Sequence, residues 1–257
     1  MARRFEVSDE QWEKLAPYFG NKQGKMGRPE ADNRKLFNGV LWVLRTGAPW
    51  ARSSGLLRPV SDGLQAFCPV ARERYPEEFL REPPGRCIYA GFVYRRYIHQ
   101  STSSQCGGKK GDVDSAGGQC IGVSRGGRST KIHAVVDGLG NPLVLMLTGG
   151  EVHDSVMMQP ALEQLTIKGS TVLADKAYGG KDNRAYITEQ EAEYCIPPKE
   201  NAVEPWPCDY SHYKERHLVE CFFMKIKDYR RVAMRFEKLA RRYLAFAHLA
   251  AILLWLA

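Results

Sequence analysis

An α/β fold preceded by a small helical module is what this 257-residue sequence predicts, on three observations. The N-terminal segment carries two helix-start signals around a basic, glycine-rich turn. From residue 129, short apolar runs of strand length alternate with helical stretches. Towards the C-terminus, four polar side chains recur at helical spacing between Tyr213 and Lys227.

The first helix starts at a capping box, Ser8-Asp9-Glu10-Gln11. There a serine side chain and a glutamine three residues on satisfy each other's backbone amides, and Trp12, Leu15 and Tyr18 or Phe19 follow on one face. After Lys22, Lys25, Gly27, Arg28 and Pro29, Asp32 can cap a second helix. That helix carries Leu36, Phe37, Val40, Leu41 and Leu44 and stops near Gly47-Ala48-Pro49. Two helices around a basic turn fit a helix-turn-helix-like DNA contact, or a plain helical hairpin packed on the larger domain.

Thr130 to Asp137 alternates and ends in Gly138-Leu139-Gly140-Asn141, a hairpin signal; Pro142 to Thr148 is a continuous apolar run, as in a central strand. His153-Asp154-Ser155 reads as an N-cap before a helix to about Leu165. A short strand at Thr171 to Ala174 ends at Asp175. A helix near Lys181 to Glu191, a strand at Glu193 to Ile196, and helices from His212 to Tyr229 and Glu237 to Leu256 complete the order.

Composition narrows the partner. Lysine and arginine total 37 against 29 acids, a net charge of +8, with a pI near 9.1. Basic residues interleaved with aromatics, as around Arg230, Arg231, Arg235, Arg241 and Arg242, favour nucleic acid over a membrane surface. Seven cysteines without a C-x-x-C pair support neither a zinc site nor a disulfide framework. The N-terminus lacks a signal-peptide core, and the apolar run Leu244 to Ala257 is too short to span a bilayer, so the expected compartment is the reducing cytoplasm.

At 100° per residue, Tyr213, Arg216, Glu220 and Lys227 fall within an arc of about 60°. One carboxylate flanked by two cations and a phenol suits an acid that binds metal beside a polyanionic backbone; mixed charges on a helix are otherwise a solvated face. The Y-x2-R-x3-E-x6-K spacing resembles the C-terminal signature of DDE transposases of bacterial insertion sequences, in the family numbered five within the four-like superfamily. Further matches are Val40 to Trp50, Ser124-Arg125-Gly126-Gly127 with Thr130 to Asp137, Leu173-Ala174-Asp175-Lys176, and Ile196-Pro197-Pro198. The element order then corresponds to most of an RNase H-like core.

The resemblance implies that Asp175 and Glu220 are the second and third acids of a site for Mg²⁺ (or Mn²⁺), which would activate one oxygen and stabilise another during phosphoryl transfer. Arg216 and Lys227 would contact phosphate, and Tyr213 would orient DNA or metal-bound water. Arg28, Arg34, Lys176, Arg230 and Arg231 are the candidate DNA-binding cations. The implied partners are double-stranded DNA at terminal inverted repeats and target sites, together with further copies of the chain. The implied location is the bacterial nucleoid.

From about Ala51 to Gly118 the resemblance is absent. The family's first aspartate, in an apolar strand before Ser-Thr, has no counterpart; Asp112 and Asp114 lie in a polar loop and Asp137 in the hairpin turn. Shifted by one base, the coding of Ala51 to Gly55 can read R-D-L-P, Ala66 to Pro76 can read R-F-V-R-W-R-E-S-G-I, and Ile88 to Val93 can read Y-M-R-D-S-S. These ordered matches suggest a frame displacement from Ala51 that reverts between Ile98 and Gln119. The expected organisation is a helical DNA-binding domain over 1–50, a displaced and poorly structured segment over 51–118, and a catalytic domain over 119–257 without its first strand. The expected function is an insertion-sequence transposase impaired by a missing acid, or alternatively a non-catalytic DNA-binding inhibitor of an intact transposase.

Overall fold

The computed structural model describes residues 5–19, 32–49 and 119–256 in full, and 87–97 as backbone. Helix α1 (Asp9–Leu15) begins at the predicted capping box: Ser8 Oγ accepts from Gln11 N, and Gln11 Oε1 accepts from Ser8 N. Helix α2 (Asn33–Thr46) is capped by Asp32, whose carboxylate accepts from the amides of Arg34 and Lys35. It stops at Gly47, whose φ of 71° is a left-handed C-cap that a side chain would strain.

The sheet is built from β1 (Cys87–Tyr97), β2 (Gly122–Ser124), β3 (Gly127–Val136), β4 (Pro142–Gly149), β5 (Thr171–Leu173) and β6 (Glu193–Cys195). β3 lies antiparallel to β1, β2 and β4, whereas β1, β5 and β6 run parallel to one another. The β3–β4 hairpin is closed by Asp137, whose Oδ1 accepts from Leu139 N at 2.8 Å and Asn141 N at 2.7 Å. That uses the aspartate as a turn residue, as the sequence suggests. The helices are α3 (Met158–Leu162), α4 (Lys181–Glu189), α5 (Tyr210–Tyr213), α6 (His217–Ile226), α7 (Arg230–Ala233) and α8 (Ala240–Trp255).

Two expectations change here. A first strand is present: β1 sits between β3 and β5, inside the segment read as displaced and poorly structured. Cys-Ile-Tyr-Ala-Gly-Phe-Val-Tyr is rich in strand-forming residues, and a strand between two others is held by backbone hydrogen bonds whatever its side chains. The rest of 51–118, including Asp112 and Asp114, lies outside the described residues.

The second change concerns the N-terminal helices. Val7, Leu15, Phe37, Val40, Leu41 and Leu44 belong to the same buried cluster as Val219, Phe222, Tyr243 and Phe246. The two helices therefore have no core of their own: the apolar stripe of α2 is buried against the C-terminal helices.

The cores lie on opposite faces of the sheet. Ile132, Ala134, Val136 and Leu173 face α1, α2, α6 and α8; Val135, Val172 and Ala174 face α3 and α4. This alternation along β3 and β5 is the period of two of a sheet covered on both sides. It sets which side chains can meet at the strand ends.

Candidate active site

β5 is short and apolar, and the chain leaves it at Asp175, where the backbone is still extended (φ −68°, ψ 157°). The Asp175 carboxylate accepts from Lys176 N at 2.7 Å and so caps a single 3₁₀ turn, Lys176–Tyr178. Cap and ligand roles are compatible, because a carboxylate has lone pairs to spare.

The stripe of four polar residues is one helical run with a 3₁₀ turn (Lys214–Arg216) between α5 and α6. Asp209 starts it, accepting from Ser211 N and His212 N. Val219, Phe222, Phe223 and Ile226 bury the other face of α6, which forces the polar stripe outward. Tyr213 Oη donates to Asp175 Oδ1 at 3.4 Å. Arg216 Nη2 donates to Glu220 Oε1 at 2.6 Å, and its guanidinium lies 5.8 Å from the centre of the Tyr213 ring. Asp175 and Glu220, 45 positions apart in sequence (220 − 175), are thus joined through Tyr213 and Arg216.

Charge follows the geometry. Burial raises the Tyr213 hydroxyl above its ordinary value, with Arg216 opposing and Asp175 reinforcing the shift. Burial works against the Arg216 charge, but the hydrogen bond to Glu220, Tyr213 and the Asp175 carboxylate outweigh it and raise its pKa. The guanidinium is the local counter-ion of both acids.

Lys227 stands at the C-terminal cap of α6, with Nζ 3.9 Å from Met224 Sδ. Lys176 is exposed and pairs with Glu200 at 3.8 Å. Arg230 is exposed at the start of α7, and Arg28 lies outside the described residues. Two candidate cations have structural partners instead. Arg34 bridges to Asp9 at 2.6 Å and donates to Val7 O, tying α2 to the segment before α1. Arg231 is 5% exposed and donates to Glu237 and Ala48 O, so it is withdrawn from the DNA-facing set. A run of arginines in sequence carries no sign of which one is buried.

Sequence reasoning missed the support beneath Asp175. Tyr178 is buried, and its hydroxyl is raised far above the ordinary value by burial and then by Asp154 and Asp175. Asp154 pairs at 2.7 Å with Lys131, which is 3% exposed. Asn183 donates to both Ser155 O and Tyr178 O, joining the turn after β4 to the turn that carries Asp175. His153 is the predicted cap, accepting from Ser155 N. The Lys131–Asp154 pair spans 23 residues, so no local pattern announces it.

The donor set also fails a test. Two divalent ions need several shared carboxylates. Among the described residues no group of three histidine, cysteine or acidic side chains is placed to hold a metal, and Asp175 and Glu220 already share Arg216. Among the described residues, Asp175 and Glu220 by themselves do not supply the carboxylates of a two-ion centre.

Comparison with known proteins gives concordant matches. Residues 93–205 and 172–257 match two models described as transposase DDE domains, and residues 7–57 match a model of putative transposases of the IS4/5 family. A putative transposase for insertion sequence element IS6501 from Brucella ovis is 40% identical over 131 residues, which are 50% of this chain and 98% of that relative. Among the described residues, no helix is long and apolar enough to cross a membrane.

Proposed function

From the premise that this chain belongs to the DDE transposases of insertion sequences, we propose that it is a transposase whose acid site is incomplete and whose retained activity is binding DNA. The intact chemistry of the reading is recognition of terminal inverted repeats, Mg²⁺-dependent cleavage and strand transfer. The supporting observation is the convergence of Asp175 with Tyr213, Arg216 and Glu220, two acids beside cations at the end of a central strand. With only those two acids brought together among the described residues, no cleavage step is assigned to this chain.

On DNA, Arg216, Lys176, Lys227 and Arg230 would meet phosphates, supplying affinity without reading sequence. Arg34 would extend the contact from the N-terminal helices by first giving up Asp9, and Arg28, outside the described residues, is a further proposed DNA contact. The partners are double-stranded inverted-repeat and target DNA and a second copy of the chain.

The test is a gel shift on inverted-repeat DNA beside a nicking assay in Mg²⁺ or Mn²⁺. The expected result is a shift that persists in Asp175→Ala and Glu220→Ala, and no nicking. Metal-dependent nicking abolished by Asp175→Ala would show a working enzyme and defeat the incomplete-site reading. No shift at low salt would defeat the DNA-binding reading. Inhibition of an intact transposase is the alternative of another class, which requires competition for the same element ends.

A further inference from the structure

We infer that residue 91 is the vacant corner of the acid site, and that a glycine there is what denies this chain a divalent cation between Asp175 and Glu220. The inference rests on reading Asp175 and Glu220 as a metal-binding pair, and takes that pair as its starting point.

Three features of the sheet locate the corner. The parallel register of β1 on β5 is Cys87 with Thr171, Ile88 with Val172 and Tyr89 with Leu173. Carried two residues further along extended backbone, it sets Gly91 level with Asp175, on strands roughly 4.8 Å apart.

The face is fixed from the other side. β1 pairs with β3 as Tyr89 with Val136, Ala90 with Val135 and Gly91 with Ala134. Val136 and Ala134 are buried in the cluster that contains Val219 and Phe222 of α6, whereas Val135 is buried on the opposite face. Directly paired residues share a face, so position 91 lies on the face covered by α6, the helix that carries Glu220. Leu173 is in that same cluster, and Asp175, two residues on, keeps its side by the period of two.

Coding supplies a separate pointer. In the one-base-shifted reading of Ile88 to Val93, Y-M-R-D-S-S, the aspartate is the fourth residue, at position 91. Strand pairing and codon reading share no premise, and they converge on one residue.

Charge completes the case. Arg216 now compensates Glu220 and Asp175 together. A third carboxylate at 91 would deepen the negative excess that one guanidinium already leaves, and a hard divalent cation with oxygen ligands is the species that relieves such an arrangement. A glycine inside a strand contributes no side chain, so an aspartate at this position would supply the carboxylate that the corner lacks.

The experiment uses the full chain and Mn²⁺ as the probe, with free ion followed by its electron paramagnetic resonance signal. Gly91→Asp should bind Mn²⁺ at least tenfold more tightly than both the unaltered chain and Gly91→Asn, and Gly91→Asp/Asp175→Asn should lose the gain. An affinity for Gly91→Asp within twofold of Gly91→Asn overturns the inference, as does a gain that survives Asp175→Asn. If Gly91→Asp fails to fold, judged by circular dichroism, Gly91→Cys/Asp175→Cys decides. A short thiol-to-thiol cross-linker should join residues 91 and 175 in the peptide map, and absence of that link overturns the register. These outcomes separate from the DNA test: a chain that shifts DNA but gains no Mn²⁺ site loses only this inference.

Discussion

Arg216 and Arg235 are both arginines in the C-terminal basic region, and their surroundings give them opposite work. Arg216 lies at the protein surface, pairs with Glu220 and senses Asp175. Arg235 is 1% exposed and spends its donors on the carbonyls of Gln119, Cys120, Glu237 and Lys238 and on the Thr130 hydroxyl. Burial lowers its pKa, opposed by Tyr243, Cys120 and Glu237. One arginine sits between two acids near the surface; the other ties the chain at residues 119–120 to the approach to α8.

Breaking the buried member should have the largest effect. Arg235→Ala removes five hydrogen bonds, to four carbonyls and the Thr130 hydroxyl, and the loss expected from removing such a hub is about 3–5 kcal/mol. Urea unfolding measures it, and a loss below about 1 kcal/mol would mean the network is not structural. Arg231→Ala, which leaves Glu237 (10% exposed side chain) unpaired, should cost about 3 kcal/mol.

A pH titration comes next. Burial first, then Lys131, lowers the pKa of His133 from 6.5 to about 4, against the raising effect of Asp154. The unfolded chain therefore takes up this proton at higher pH than the folded one. Stability is fully present above about pH 6.5 and is lost as pH falls towards 4, by about 3 kcal/mol for a shift of this size. His133→Gln should lessen the fall without abolishing it, because burial lowers His248 to about 4 as well, and an unchanged curve would place the acid sensitivity elsewhere.

The smallest effect on stability belongs to the partly exposed member. Arg216→Ala removes a pair whose Glu220 side chain is 60% exposed and should change stability by less than about 1 kcal/mol. It should instead weaken DNA binding and reduce the salt dependence by about one phosphate contact. A stability loss equal to that of Arg235→Ala would erase the distinction between the two arginines.

Local chemistry was legible where it is local. Ser8 with Gln11, Asp32, Gly47, Asp137 and His153 each act on backbone within four residues, and the structure places them in those roles. The 3.6-residue period likewise puts Arg216 beside Glu220, because helix geometry alone brings residues four apart together. What failed was any judgement that depended on distant neighbours. Arg231 and Arg34 read as free cations because Glu237, Ala48 and Asp9 reach them only in the folded chain. The first strand read as missing because its motif is absent, although β3 and β5 leave a gap that another apolar strand fills.

By itself, the sequence determined the family and the helical stripe from Tyr213 to Glu220, because these rest on residue identity and helical repeat. Tertiary structure alone decided that Asp175 meets Tyr213, that Lys131 pairs with Asp154, and that β1 lies in parallel register beside β5. Those facts depend on strand order and register, which bring together residues that the chain itself keeps dozens of positions apart.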